Sequence, residues 1–444
     1  MTVPTAPAAS DKPTISASET TQQTQSAKQS RQSKQPQRKH DRLITRDMAL
    51  VMLATFCFMS SNMLANPIVA GYAESLGASG MLMGVVAGSM SFISLFCRPI
   101  AGNLSDKTSK RTLVAVGTVL YFAAGLLYYF ANSPTMLIMA RVINGVGFAC
   151  CSVCLATWMS LLLPIRHMGA GMGLYGTMNA LAMAVGPALG IRAQKYIGYR
   201  LTFLSSLVLA VIMLVSTLMV KNGGQSVRKK QTDNMTGSSP TMNGSVDENG
   251  TSHKRRFSIR SILEPRVVPL SLTFMMFAIA YFANQSFIMN YVETRHLPVS
   301  ADLFFMFYAV ALLVLRLGLR DLFDSKGFRF WLTVCSLGMV AMLACMTFLF
   351  NDWMLLLAAI FTAVGYGLMS SVTQAQAVVI AGRERSGIAN STYYAGIDLG
   401  MSVGPFVGGL VYGHLSAVWF YPVFMLTMPV AWLIYLLCVR RVSR

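Results

Sequence analysis

The sequence predicts an all-α transmembrane protein with twelve spans in two related six-helix halves. Three observations support this prediction: an excess of apolar residues, twelve long apolar runs, and an internal repeat. Hydrophobic residues make up 54% of the 444 positions and charged residues only 12%, which is more apolar surface than one water-soluble core needs. The lipid bilayer is therefore the expected environment of most of the chain.

Twelve apolar runs are long enough to cross about 30 Å of hydrocarbon, which takes roughly 20 helical residues. Boundaries drawn from a sequence carry an error of about two to four residues. Six runs precede a polar stretch in the middle of the chain and six follow it. The expected spans are 48–72, 80–101, 112–131, 135–162, 169–191, 201–220, 267–291, 300–319, 330–350, 353–380, 387–412 and 418–439.

Two polar segments divide the chain into four parts. Residues 1–46 are expected to form a disordered cytoplasmic tail, 47–221 the first half, 222–265 a flexible cytoplasmic linker and 266–440 the second half, because the polar segments cannot bury enough apolar surface to fold. Lys and Arg concentrate in the tail, the linker and the loops on one side, so both termini are expected in the cytoplasm. The net charge of +19 thus indicates membrane topology rather than nucleic-acid binding.

An internal repeat is seen when the chain is compared with itself at an offset of 218 residues. A duplicated six-span unit is the architecture of secondary transporters whose halves are related by a pseudo-two-fold axis along the membrane normal. Such proteins bind substrate between the halves near the midplane, so we expect the functional site there. The repeat pairs Arg98 with Arg316, Asp106 with Asp324, Arg111 with Arg329, Tyr175 with Tyr393, Gly186 with Gly404 and Pro187 with Pro405.

The segment RPIAGNLSDKTSKR, residues 98–111, is expected in the cytoplasmic loop between spans two and three. It resembles the loop motif G-x-L-x-D-[RK]-x-G-[RK]-[RK] of the major facilitator superfamily (MFS), although Ser109 stands where the family usually has Gly. The resemblance implies that Asp106 bears on the N-terminus of span eleven when the inner gate closes, where the helix dipole stabilises a carboxylate by about 0.3 to 1 kcal/mol. The implied gate residues are Gly102, Asp106, Lys107, Lys110, Arg111 and, in a degenerate second copy, Asp324.

Span four contains LIMARVINGVGFA, which resembles the fourth-helix motif of the same superfamily. Arg141 in this motif is expected to face the protein interior or a wet cavity with a partner, or else to snorkel to the outer interface. Spans five and eleven carry a Gly-Pro pattern that the superfamily associates with antiporters, and small-residue packing explains it equally well. The expected helix-packing residues are Gly145, Gly147, Gly186, Pro187, Gly404 and Pro405.

Polar side chains within the spans are candidates for binding a solute or a proton. Asp398 is the carboxylate placed most deeply in a span, and Arg141 is expected at a similar depth on span four. We therefore predict that Asp398 and Arg141 form the proton-coupling site, with a permanent ion pair between the halves as the alternative. The expected substrate cavity comprises Asn62, Asn66, Asn144, Asn284, Gln285, Thr362 and Tyr394.

The resemblance to the MFS implies a twelve-helix secondary active transporter of a small molecule that works by alternating access. Proton-coupled efflux of a drug-like compound or metabolite is favoured by the Gly-Pro pattern and Arg141, and an uptake symporter or facilitator for a sugar or organic acid is the alternative. The sequence shows no constellation of catalytic residues that would favour a membrane-embedded enzyme or sensor. We expect a monomer in the plasma membrane that uses protons, has neither cofactor nor metal, and binds no nucleic acid.

Overall fold

The computed structural model describes residues 45–163, 168–221, 263–319, 322, 326–382 and 386–439. Nearly all of the expected N-terminal tail and of the expected linker lies outside these ranges. So do Asp324 and the side chains of Asp106 and Lys107.

The described residues form helices joined by short connections. The α-helices are α1 (Arg46–Ser75), α2 (Gly80–Lys107), α3 (Lys110–Phe130), α4 (Pro134–Leu162), α5 (Met168–Leu218), α6 (Val268–Thr294), α7 (Ala301–Gly318), α8 (Phe328–Thr347), α9 (Asp352–Thr362), α10 (Met369–Ala381), α11 (Ser386–His414), α12 (Phe420–Met425) and α13 (Thr427–Ile434). A π-helical segment, Ala363–Leu368, joins α9 to α10, a 3-10 turn at Ala417–Trp419 precedes α12, and a second π-helical segment, Tyr435–Val439, follows α13.

Ten helical segments of the described chain are long and apolar enough to cross a membrane, judged by length and composition. The expected all-helical transmembrane fold is confirmed. One of the ten runs through α5, which contains the fifth and sixth expected spans. Gly198 breaks this helix at φ 76° and ψ 173°, a conformation that glycine adopts without a steric cost. The connection between these two spans is therefore a kink at Gly198 and is shorter than the expected loop of residues 192–200, because the chain is helical on both sides of this glycine.

Several helices begin at a polar residue that caps their first turn. The side chains of Thr45, Ser79, Ser133 and Asn351 each accept a hydrogen bond from a backbone N–H three residues later. Such a cap satisfies a donor that the first turn leaves without a helical partner and stabilises a helix by about 1 kcal/mol. These caps fix where α1, α2, α4 and α9 start, and they keep the connections before α2 and α4 short.

Helix α2 is longer than the sequence indicates. It continues to Lys107, so most of the segment 98–111 is helical rather than a loop. Gly102 accordingly lies within the helix, and a methyl group at this glycine would meet no other atom within 4 Å. The loop expected for this segment is therefore wrong over residues 98–107, because hydropathy alone ended the span where the polar residues begin.

The helices form an N-terminal group, α1–α5, and a C-terminal group, α6–α13. Within them α1 packs against α5, α2 and α3 pack against α4, α6 packs against α11, and α7 and α8 pack against α9. The most extensive packing between the two groups of the described chain is that of α2 with α11, α5 with α7, and α1 with α6. Helices α1 and α6 are the most buried of the ten candidate spans, so they lie innermost.

The two ends of the bundle are named here by residues. Gly80 at the start of α2 contacts Gly413 at the end of α11, and we call this the Gly80 end. The opposite end, where α2 stops and α3 begins at Lys110, is the Lys110 end.

Candidate functional site

Asp398 on α11 forms an ion pair with Arg98 on α2. The Nε of Arg98 donates to Oδ2 of Asp398, and Nη2 donates to Oδ1 at 3.0 Å. The guanidinium carbon also lies 5.4 Å from the ring centroid of Phe148 and 5.9 Å from that of Tyr394. A two-point contact between charged groups is stronger than a neutral hydrogen bond and also fixes their orientation. The pair therefore joins one charged residue from each helix group.

The ion pair lies deep within the bundle, far from the Gly80 ends of both helices. Asp398 is 2% exposed and Arg98 is 21% exposed. At 1.5 Å per residue, Arg98 lies about 27 Å from the start of α2 and Asp398 about 24 Å from the end of α11. Both residues are thus beyond the midpoint of their helices, on the side of the Lys110 end.

Arg141 on α4 does not meet Asp398, so the expected pairing of these two residues is wrong. The guanidinium of Arg141 is 1% exposed and donates to Asn66 Oδ1 at 3.1 Å and to the Ala87 carbonyl at 3.2 Å. Similar depth along two helices does not determine the direction in which each side chain leaves its helix. Arg98 was missed because the expected end of span two placed it at the border of a loop.

An amide bridge continues from Arg141 into the C-terminal group. The Nδ2 of Asn66 on α1 donates to Oε1 of Gln285 on α6 at 3.5 Å. Gln285 is fully buried, and its Nε2 lies 3.8 Å from the sulfur of Met63. Arg141, Asn66 and Gln285 therefore form a chain of polar contacts across the innermost helices.

Three other asparagines expected in the cavity carry polar atoms without a protein partner. Both side-chain polar atoms of Asn62, Oδ1 of Asn144 and Nδ2 of Asn284 are buried and have no hydrogen-bond partner in the described part of the chain. The remaining oxygen of Asn284 accepts a hydrogen bond from the Tyr421 hydroxyl at 2.9 Å. Buried polar atoms are rarely left unpaired in proteins, so these amides are candidates for contact with a solute.

The last two residues of the expected cavity differ in their surroundings. Thr362 is buried, and its hydroxyl donates to the Ala358 carbonyl of its own helix at 2.7 Å. Tyr394 is 41% exposed and lies beside the guanidinium of Arg98. Of the two, only Tyr394 adjoins the ion pair.

Two of the expected gate residues hold the start of α3. Lys110 is fully buried and its Nζ donates to the Ser105 carbonyl, while Arg111 donates to the Val220 carbonyl. These bonds tie α3 to the end of α2 and to the end of the N-terminal group. The gate role of Asp106 and Asp324 stays a prediction, because it depends on side chains outside the described residues.

The glycine seam is a close contact between α2 and α11 that the sequence reading missed. It consists of Gly80, Gly84 and Gly88, one per turn of α2. A methyl group at Gly84 would lie 2.5 Å from the Pro405 carbonyl oxygen, and one at Gly88 would lie 2.5 Å from the Ser402 carbonyl oxygen. The G-x-x-x-G-x-x-x-G spacing was visible in the sequence, since this spacing marks close approach of membrane helices.

The expected packing glycines lie at further close contacts. A methyl group at Gly186 would lie 2.7 Å from Met63 Cβ on α1, and one at Gly404 would lie 2.5 Å from the Ile279 carbonyl oxygen on α6. The prolines that follow these glycines lie inside α5 and α11. Gly145 and Gly147 face α2 and α3.

Comparison with known families identifies the class of protein. The sequence model of the Major Facilitator Superfamily matches residues 51–352 and 327–444. The chain belongs to the major facilitator superfamily. As an MFS protein it is a transporter rather than an enzyme, and its multi-pass helical fold agrees with that assignment.

Relatives of this MFS protein differ in how much of the chain they match. An uncharacterised MFS-type transporter of Methanocaldococcus jannaschii is 22% identical over 381 residues, which covers 84% of this chain and 92% of the relative. An SPX domain-containing membrane protein of Arabidopsis thaliana is 33% identical over 169 residues, 37% of this chain. That match spans only 24% of the plant protein.

Solved MFS-like structures share the fold over almost the whole chain. A POT family transporter in complex with 5-aminolevulinic acid has a TM-score of 0.71 at 11% identity and covers 90% of this chain and 97% of its own. The nucleoside transporter NupG has a TM-score of 0.66 at 11% identity, with coverage of 88% and 99%. At such identities the likeness concerns the fold alone.

Proposed function

We propose that this protein is a proton-coupled secondary transporter that exports a small drug-like compound or metabolite. The observation that carries the proposal is the buried ion pair between Arg98 on α2 and Asp398 on α11. A carboxylate at such a position is costly to bury without a partner, so ionisable residues inside spans are functional candidates. We assign Asp398 as the proton carrier and Arg98 as its partner in the resting state.

The coupling follows from what happens when α2 and α11 separate. Separation would leave Asp398 as a buried carboxylate without its guanidinium, and breaking such a pair is strongly destabilising. Binding of a proton removes the negative charge and so lowers the free energy of the separated state. Movement of the two helices and protonation of one carboxyl group are thereby linked.

The solute site is proposed at the innermost helices, α1 and α6. The unpaired amide atoms of Asn62, Asn144 and Asn284 offer hydrogen bonds that a solute can complete. The contact between Asn66 and Gln285 joins the two helix groups at the same helices. A solute bound there would contact both groups, as alternating access requires.

The orientation and direction of transport are part of the proposal. We assign the Lys110 end, both termini and the linker to the cytoplasm, and the Gly80 end to the outside of the plasma membrane, on the basis of the Lys and Arg distribution. The halves are residues 47–221 and 266–440, in a monomer. The Gly-Pro pattern of the fifth and eleventh spans favours export over uptake.

A proteoliposome assay tests the proposed coupling. The solute is first identified by a thermal-shift screen of the purified protein and then followed with and without an imposed pH gradient. We expect Asp398→Asn to lose transport driven by the gradient while it keeps solute exchange at zero gradient. Asp302→Asn is the matched control, because its partner Arg192 is 61% exposed and 3.9 Å away. An unchanged response of Asp398→Asn to the gradient would rule out this residue as the proton carrier.

A further inference from the structure

Arg316 on α7 is related to Arg98 by the internal repeat, but its surroundings are different. Its Nη2 donates to the Ser371 hydroxyl on α10 at 3.1 Å. Its Nε is buried and has no hydrogen-bond partner, and it forms no ion pair with a carboxylate in the part of the chain that the structure describes. Within the described residues, no carboxylate balances the charge of Arg316 in the way that Asp398 balances that of Arg98.

The repeat shows which residues of α5 correspond to the partners of Arg98. At the offset of 218 residues, Asp398 corresponds to Ala180 and Tyr394 corresponds to Gly176, both on α5. Helix α5 packs against α7 as α11 packs against α2, so the two contacts between helix groups are equivalent. A methyl group at Gly176 would meet no other atom within 4 Å. The two halves thus share the arginine, whereas small residues stand in α5 at the positions of the acid and the aromatic ring of α11.

A lipid headgroup is the main alternative partner of Arg316. The residue lies in the last turn of α7, and an arginine near a helix end can extend its side chain to the membrane interface. Two observations favour the protein interior. The Nε atom is buried, and the guanidinium is bonded to Ser371 on a neighbouring helix. At about 22 Å from the start of α7, Arg316 also lies at a depth similar to that of Arg98.

We propose that the transported solute is an anion whose carboxylate or phosphate group pairs with Arg316. The inference rests on the proposed transport function, because it names the chemical class of the solute. A guanidinium binds such oxyanions through two parallel hydrogen bonds, and Nε is one of the donors that this geometry uses. Arg141 is another guanidinium whose hydrogen bonds to Asn66 and Ala87 go to neutral groups. A bound anion would balance the charge of Arg316.

Equilibrium binding tests this inference separately from transport. The full-length protein in phosphatidylcholine nanodiscs is heated with acetate, succinate, benzoate, glycerol 3-phosphate or inorganic phosphate at constant ionic strength. Acetamide, succinamide and benzamide are the uncharged counterparts of the three carboxylates, and glycerol is the uncharged control for the two phosphates. We expect at least one anion to raise the melting temperature of the wild type in a saturable manner, since a ligand that binds only the folded state stabilises it. Its uncharged counterpart should have no such effect.

Substitutions then locate the bound anion. Arg316→Gln should raise the half-saturating concentration of the anion at least tenfold, and Arg316→Lys, which keeps the charge without the planar donors, should have an intermediate effect. Arg329→Gln is the matched control, because Arg329 carries the same charge at an exposed position of the next helix. Ala180→Asp places an acid at the position that the repeat relates to Asp398. This carboxylate should compete with the anion for Arg316 and so weaken anion binding at least tenfold.

Each other outcome overturns the inference. It fails if no anion stabilises the wild type, if the uncharged counterparts stabilise it equally, or if Arg316→Gln or Ala180→Asp binds the anion as the wild type does. It also fails if nanodiscs with anionic phosphatidylglycerol reproduce the Arg316-dependent stabilisation while soluble anions have no effect, because the ligand is then a lipid headgroup.

A protein that binds only neutral or cationic compounds would leave the transport proposal intact. Anion binding without any solute exchange would instead contradict the transport proposal.

Discussion

Arg98 donates to both carboxylate oxygens of Asp398 across the contact between α2 and α11, although the two residues are 300 positions apart in the chain. The contact places one charge of the pair on each helix group. Any motion that separates α2 from α11 at this depth must therefore break the ion pair or neutralise it.

A double-mutant cycle measures the strength of this pair. Arg98→Gln and Asp398→Asn should each destabilise the protein by about 3 kcal/mol, because each leaves an unpaired buried charge. The double variant should lose much less than the sum of the two. Chemical denaturation in detergent micelles provides the free energies. The exposed pair of Arg192 and Asp302 is the control and should give a coupling energy of about 0 to 1 kcal/mol. Additive losses at Arg98 and Asp398 would show that the ion pair does not couple the helices.

The glycine seam should be sensitive to added volume. Gly84→Val forces a side chain against the Pro405 carbonyl of α11, and overpacking of this kind costs about 1 to 3 kcal/mol. We expect a lower melting temperature and a transport rate reduced about tenfold or more. Gly102→Val is the matched control for the melting temperature alone, because a methyl group there meets no atom within 4 Å but Gly102 is itself an implied gate residue. Equal effects of the two substitutions would mean that the seam is not a tight contact.

The gate motif predicts a defect in transport rather than in folding. Asp106→Asn removes the charge that the resemblance to the family assigns to closure against the N-terminus of α11, where a carboxylate gains about 0.3 to 1 kcal/mol from the helix dipole. Transport should fall several-fold while the amount of protein in the membrane stays close to that of the wild type. Solute flux per molecule of protein in proteoliposomes provides the measurement. Transport at the wild-type rate would refute the gate assignment.

Cysteine labelling tests the proposed orientation. In a background without the eight native cysteines, Ser245→Cys places a single thiol in the linker. A membrane-impermeant maleimide should label this thiol only after the cells are permeabilised, since the linker is assigned to the cytoplasm. Labelling of intact cells would reverse the topology.

Eleven of the twelve expected spans lie in the ten apolar helical segments of the described chain, because each is a long apolar run that a bilayer requires, whereas α7, the eighth expected span, is not among these segments. The partner of Asp398 was not predictable, because Arg98 lies close to the expected end of span two and begins the segment assigned to the loop, whereas α2 continues to Lys107. The expected link to Arg141 failed for another reason. Depth follows from counting residues along a helix, but the direction of a side chain depends on how the helices pack around one another.

Other features depended on signals that the sequence contained but that hydropathy does not weigh. The spacing of Gly80, Gly84 and Gly88 indicates close helix packing, yet it does not name α11 as the partner. The bend at Gly198 looks like a loop in the sequence because arginines and a lysine surround it. Only the structure shows that the chain stays helical on both sides of it.

The glycine seam also determines what an opening at the Gly80 end would expose. In the closed contact, the carbonyl oxygens of Ser402 and Pro405 face glycines of α2 with no side chain between them. When the helices part, these oxygens are the groups that water would hydrate first, and their hydration offsets part of the lost packing. The wall of the opened crevice would thus consist of fixed backbone dipoles on α11. Its polarity would then persist through most side-chain substitutions nearby.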